Sequence, residues 1–235
     1  MFNAQLGSGS APSLLERTMH RPLYGILLDG GFLTKKLYQT LKRHATADDI
    51  VKECERLQNL PEVQNYELLR IYYYDAPPAS SSINRPISNK QLKLSGTERF
   101  KLSQSLYDQL VVKPHFALRM GETNLSPNKW RIKPRVAKEL IRSPRALTDE
   151  DFDLDLTQKG VDVRIGLDMA RLCLRETVRA VVVVTGDSDF VPAFKFVRRE
   201  GVKVILDPLD HNVRIELRQH ADVVISHSTS NHSKN

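Results

Sequence analysis

Cysteine is nearly absent from this chain: Cys54 and Cys173 are the only two in 235 residues. Two cysteines so far apart make neither a disulfide framework nor a zinc cluster, and they set the expectation of a reduced, cytoplasmic protein. Long apolar runs are missing too. No stretch approaches the roughly 20 apolar residues that a membrane-spanning helix needs, and the start lacks a secretory pattern, so no membrane partner is expected. Acid is in deficit, with 28 Asp and Glu against 35 Lys and Arg, giving a formal charge of +7 and a pI near 9.4. That balance favours an anionic partner, nucleic acid before others. A basic surface kept for solubility is the plainer alternative.

What is present is a chain of alternating strand and helix patterns, 40% hydrophobic and long enough to bury a proper core. Val181-Val182-Val183-Val184 is a run of four β-branched residues, which predicts a strand buried on both faces at the centre of a parallel sheet. It leads into Thr185-Gly186-Asp187-Ser188-Asp189 and then a helical pattern closed by Gly201. The same order of strand, acid, glycine and helix occurs at Leu23–Leu33, where the strand ends in Asp29-Gly30-Gly31. Further strands are expected over 68–75, ending in Asp75 before Ala76-Pro77-Pro78, over 112–120, over 202–206 and at 223–225. Helices are expected over 34–43, 47–59, 90–110, 159–172 and 212–220. Residues 79–89 read as a polar loop. The expected fold class is therefore α/β, three layers around a mainly parallel sheet. One domain spans 22–226, between a disordered leader at 1–21 and a disordered tail at 227–235. From 121 to 158 periodicity decays into a basic insertion, with Lys129, Trp130, Arg131, Lys133 and Arg135 followed by an acidic run.

In a parallel sheet the carboxyl ends of all strands share one edge, where open α/β proteins bind ligands. Asp29, Asp75, Asp187 and Asp207 are candidates for that edge. Asp189 lies two residues beyond Asp187, in the turn entering the next helix, where it can also act as N-cap. Asp162 enters a helix beside Gly160, while Asp168 lies about 120° around the same helix and reads as a solvated helix residue or an ion-pair partner of Arg164 or Arg171. Clustered carboxylates repel unless a cation or protons intervene. A set without histidine or cysteine suits Mg²⁺ or Mn²⁺, ions that activate water and stabilise a leaving oxygen at a phosphodiester. Thr185 and Ser188 are candidates to contact a phosphate oxygen or to fix a carboxylate. The segment Lys129, Trp130, Arg131, Lys133 and Arg135 offers phosphate contacts and one stacking ring. Pairing of those cations with the following acids is the alternative.

Three stretches in this order, Leu28-Asp29-Gly30-Gly31-Phe32-Leu33, Lys159-Gly160-Val161-Asp162-Val163 and Thr185-Gly186-Asp187-Ser188-Asp189-Phe190-Val191-Pro192, resemble the NYN domain, and more narrowly its LabA-like branch within the PIN-like superfamily. The resemblance covers about 22–226, interrupted by the insertion. It implies a PIN-like α/β/α fold, metal-dependent ribonuclease chemistry on RNA, and Asp29, Asp162, Asp187 and Asp189 as the acidic quartet. It also suggests a homo-oligomer. Many relatives carry Asn where this chain has Gly31, which motivates a second reading, an RNA-binding protein that kept the fold and lost turnover. A third is a phosphohydrolase of another α/β class; against it, Gly31 stands where such an enzyme carries a second acid.

Overall fold

All pairings in the main sheet are parallel in the computed structural model, which describes residues 21–226. The expected leader (apart from Arg21) and the expected tail lie outside the described residues. The chain opens with β1 (Leu23–Asp29), α1 (Gly30–Leu41), α2 (Ala47–Gln58) and β2 (Glu67–Asp75). A short antiparallel pair, β3 (Ser82–Asn84) and β4 (Gln91–Lys93), precedes α3 (Glu98–Leu110) and β5 (Phe116–Met120). Next come β6 (Glu122–Ile132), α4 (Pro134–Arg142) and β7 (Phe152–Lys159). The chain then runs through α5 (Val161–Leu174), β8 (Ala180–Val184), α6 (Val191–Arg199), β9 (Lys203–Asp207), α7 (Ile215–Gln219) and β10 (Val223–Val224).

The six strands stand in the order β10-β9-β8-β1-β2-β5. Alternate side chains of each strand enter separate cores. Ile26, Leu28, Val182 and Val184 pack with Leu33, Ile50, Leu57, Leu106 and Leu110 of α1, α2 and α3. Leu27, Val181 and Val183 pack with Met169, Phe194 and Leu217 of α5, α6 and α7. A strand with a core on each side must be apolar at every position, which is why the valine run is continuous. The result is the three-layer α/β/α arrangement that the resemblance implies.

Connections that leave β1 towards β2 and β5 cover one face, and those through β8, β9 and β10 cover the other. The winding reverses between β1 and β8. In open α/β sheets that reversal leaves a crevice at the strand carboxyl ends, and here those ends carry Asp29 and Thr185 to Asp189.

Two expected elements differ. The helix expected over 90–110 begins only at Glu98, because Gln91–Lys93 is held as a strand against Ser82–Asn84 and Thr97 caps the helix through Phe100 N–H. The stretch expected to lack periodicity is ordered: β6 and β7 pair antiparallel from Glu122–Lys159 to Ile132–Phe152, with a shift of register between Leu125 and Trp130. Among the described residues no helix is long and apolar enough to cross a membrane.

Candidate active site

Asp29 is the last residue of β1 and the N-cap of α1, so strand and helix fix it from both sides. One carboxylate oxygen accepts from Phe32 N–H at 3.0 Å and the other from the Thr185 hydroxyl at 3.1 Å. The same hydroxyl accepts from Asp187 N–H at 3.2 Å, so a single side chain ties the β1 and β8 termini together. Thr185 is fully buried and its hydroxyl serves Asp29 and Asp187, so of its two expected roles the structure shows the fixing of a carboxylate and not a ligand contact. Asp187 in turn accepts from Asp189 N–H at 2.9 Å and caps the single 3₁₀ turn Ser188–Phe190. The capping acid is thus Asp187, whereas the expectation gave that task to Asp189. Helix α6 starts after Phe190 with no side-chain cap, which leaves the Asp189 carboxylate exposed. Ser188 is half-buried, and its hydroxyl has no partner among the described residues.

Asp162 enters from the opposite wall, in the first turn of α5. Its carboxyl is raised by partial burial and then by the charges of Asp187 and Asp189. Asp29 is pushed up to about 6, chiefly by burial, against the lowering effect of its two hydrogen bonds, with Asp162 and Asp75 adding repulsion. Asp29, Asp162, Asp187 and Asp189 therefore feel one another across the crevice, and none has an ion-pair partner among the described residues. Among those residues no three His, Cys, Asp or Glu side chains converge as metal ligands. The donor set is nonetheless all carboxylate, the hard-oxygen chemistry that fits Mg²⁺ or Mn²⁺ and not zinc.

The other acids at this edge are structurally engaged. Asp75 accepts from Tyr107 at 3.0 Å, Tyr73 at 3.3 Å and Ala76 N–H at 2.7 Å. Asp168 binds Arg119 on β5 at 3.0 Å and the Tyr74 hydroxyl at 2.9 Å, in place of the expected Arg164 or Arg171. Asp207 is fully buried and ion-paired to Arg56.

The glycines here divide by space. A Cβ on Gly30 would stand 2.6 Å from both Tyr73 Cζ and the Tyr74 carbonyl oxygen, whereas one on Gly31 would meet only Asp29 Oδ1, at 3.7 Å. Gly30→Ala is expected to cost about 1–3 kcal/mol by overpacking. Gly31→Asn, which supplies the amide carried by many NYN relatives, is expected to stay within about 1 kcal/mol of wild type. Urea midpoints of the two variants check both values, and equal midpoints would contradict the argument. Gly186 is the third close approach, since an added Cβ would stand 2.5 Å from the Phe32 ring and 2.9 Å from His211 Cδ2. His211, exposed after β9 and 5.9 Å from the Phe32 ring centroid, was not singled out in the sequence. Its only signal there is a position just past a strand end on the same edge.

The hairpin forms one wall of a cavity of about 1170 Å³ that reaches Gly31 and Asp75. Lys35, Arg85 and Arg99 line it together with Trp130, Arg131 and Lys133. Trp130 is anchored by its indole N–H to the Asn84 carbonyl at 2.9 Å. Much of the basic run is spoken for. Lys133 donates to the Glu150 carbonyl at 2.6 Å and lies 4.0 Å from Asp153, and Arg145 is bound to Asp151, while Arg131 stands opposite Asp153 only in strand register. Lys129 and Arg135 are exposed and do not line the cavity.

Comparison with known proteins adds the family. The family model of the NYN domain matches residues 132–228, which contain Asp162, Asp187 and Asp189. Residues 132–228 are thus similar to an NYN domain. Asp29 reaches that unit from β1, outside the matched span, through its bond to Thr185. An uncharacterized protein of Methanocaldococcus jannaschii is 29% identical over 80 residues, 34% of this chain and 33% of the relative, so the chain spans about a third of the length of the curated relative it matches. A crystal structure of a Vibrio parahaemolyticus protein of unknown function is similar over 89% of this chain and 96% of its own, at 16% identity and a TM-score of 0.48. NYN domains are PIN-like and generally nuclease-like, and that family usually uses divalent metals.

Proposed function

We propose that this NYN-domain protein, of the LabA-like branch, is a ribonuclease dependent on Mg²⁺ or Mn²⁺. The observation that carries the reading is the set of four carboxylates, Asp29, Asp162, Asp187 and Asp189, at one edge of the sheet with no ion-pair partner among the described residues; burial and then the charges of Asp187 and Asp189 raise Asp162, and burial with Asp162 and Asp75 raises Asp29. Carboxylates in a protein of net charge +7 are usually partnered, as Asp49, Asp151, Asp168, Asp207 and Asp222 are here. An unpartnered set at the switch of an α/β sheet suits a cation brought from solvent. When bound, a divalent ion supplies an acidified water and neutralises charge at the leaving oxygen.

The protein's own groups orient and hold. Thr185 and Phe32 N–H fix both oxygens of Asp29, so this carboxylate keeps one direction without having to reorder. Asp187 is held by the turn it caps, and Asp162 and Asp189 border the crevice from α5 and from that turn. With its raised proton affinity, Asp29 is suited to take a proton from a water near neutral pH. Trp130, Arg131, Lys35 and Arg99 line the approach and can hold a strand by phosphates and a stacked base.

The test is incubation of labelled RNA with protein in Mn²⁺ or in EDTA, beside Asp187→Asn. The expected result is cleavage that needs metal and falls on the order of 10³-fold in the variant. Intact RNA with metal present, or equal cleavage by Asp187→Asn, would sink the reading. Binding without cleavage would favour the turnover-deficient alternative that the glycine at Gly31 motivates.

A further inference from the structure

A second charged surface lies at the opposite edge of the sheet. There α6 ends at Arg199, β9 begins at Lys203 and α7 ends at Gln219, and between them is a cleft of about 680 Å³. Lys195, Arg198, Arg199, Lys203 and His220 line it, against one acid, Asp222. That acid is already engaged, by Arg198 Nε at 2.8 Å and by Val204 N–H at 2.8 Å. Lys195, Arg199 and Lys203 have no ionic partner among the described residues. Arg171 and Arg175, exposed at the end of the neighbouring α5, are likewise unpaired there, beside two exposed acids at the same helix ends, Glu176, which pairs with Arg179, and Glu200. His220 is lowered by partial burial and then by Lys195 and Arg198.

Helix geometry explains only part of this charge. Cations in the last turn of a helix complement its dipole, which accounts for Arg198 and Arg199. It does not account for Lys195, a turn earlier on the same face, or for Lys203 on the next strand. The chemistry of the cleft also narrows the ligand. A compact phosphate or mononucleotide is usually cradled by free backbone N–H groups at a helix start or nest. Here the chain presents a helix end, and its N–H groups are used: Gly201 to Arg198 O at 3.0 Å, Val202 to Val197 O at 3.2 Å and Lys203 to Arg179 O at 3.0 Å. No Phe, Tyr or Trp lines the cleft, so His220 is the one ring there and the row of stacking platforms typical of single-strand base recognition is missing. What remains is a row of point charges suited to several phosphates of one polyanion, read without regard to sequence.

We infer that the cleft between α6, β9 and α7, with the adjoining end of α5, binds the phosphate backbone of a nucleic-acid strand at a site separate from the acidic crevice. The shared chemistry is the phosphodiester chain; RNA is named as its source only through the ribonuclease reading, on which that choice alone rests. Five-residue strands place the two edges roughly 16 Å apart before loops are added. A strand engaging both must therefore pass around the protein, so long RNA gains from this surface and a tetranucleotide at the acids does not.

The test measures anisotropy of labelled RNA and of DNA of equal length against salt, in EDTA, for wild type and for Lys195→Ala/Arg199→Ala/Lys203→Ala. Loss of three phosphate contacts is expected to flatten the slope of log affinity against log salt by about 2 for a single strand. Lys195→Arg/Lys203→Arg keeps the charge and should keep the wild-type slope, which separates charge from folding. The inference is overturned by an unchanged slope in the alanine variant or by a flattened slope in the arginine variant; an effect on DNA alone would keep the phosphate site and overturn the choice of RNA. Because EDTA removes turnover, failure to cleave RNA would end the nuclease reading without touching this result.

Discussion

Asp29→Asn is expected to lose cleavage by about three orders of magnitude while the protein becomes more stable at neutral pH in EDTA. The two effects have one origin. Burial raises Asp29 to about 6, above the value of about 3.9 for a free aspartate, so the folded state binds this proton more tightly than the unfolded state. Stability that depends on the protonated form is present below about pH 4 and is lost as pH rises through about 6. At pH 7 the ionised carboxylate thus costs about 2–3 kcal/mol. Asparagine removes that charge and remains a good N-cap, with an oxygen for Phe32 N–H. For a protein of this size the gain corresponds to a melting temperature higher by roughly 4–12 °C. Added Mg²⁺ should narrow the gap by stabilising wild type alone, since an ion that binds only the folded state raises its stability by mass action. Thermal melts across pH 4 to 8, with and without metal, read all three effects. A variant that melts lower than wild type at pH 7 in EDTA, or that cleaves RNA normally, would contradict the role given to Asp29.

A residue held at such a cost marks where the sequence was most readable. The valine run and the two acid-glycine turns are local signals, and they placed β1, β8, Asp29 and Asp187 on one edge before any coordinates. Asp162 was legible for a similar reason, because a helix entrance beside glycine faces the same edge. What escaped depends on partners distant in the chain. Gln91–Lys93 carries a helix-like pattern and becomes a strand only because Ser82–Asn84 lies opposite. The β6–β7 hairpin is wet on much of its surface, so it lacks the apolar alternation that would have announced it. Thr185 is legible as a hydroxyl able to fix a carboxylate, but its partner, Asp29, lies 156 positions away and only the fold brings the two together.

Asp207 shows the same limit from the other side. By position it is a site acid at a strand end; by environment it is a lock between layers. It is fully buried at the end of β9, ion-paired with Arg56 in the last turn of α2, and accepts from Leu209 N–H at 2.9 Å. Arg56 also bonds Glu53, so the guanidinium is positioned before it meets Asp207. Removing one partner of a buried pair leaves a desolvated charge behind, which typically costs about 3–5 kcal/mol. Arg56→Met is therefore expected to lose about 3 kcal/mol, near the lower end because the Leu209 contact remains, and to melt roughly 6–12 °C lower. Adding Asp207→Asn neutralises the stranded charge, keeps an acceptor for Leu209, and should recover most of the loss. RNA cleavage by the single variant, measured below its melting range, should stay within a few-fold of wild type. Asp29→Asn thus gains stability and loses cleavage, whereas Arg56→Met loses stability and keeps cleavage. If Arg56→Met stays folded but cleaves no RNA, then Asp207 belongs to the site and not to the lock.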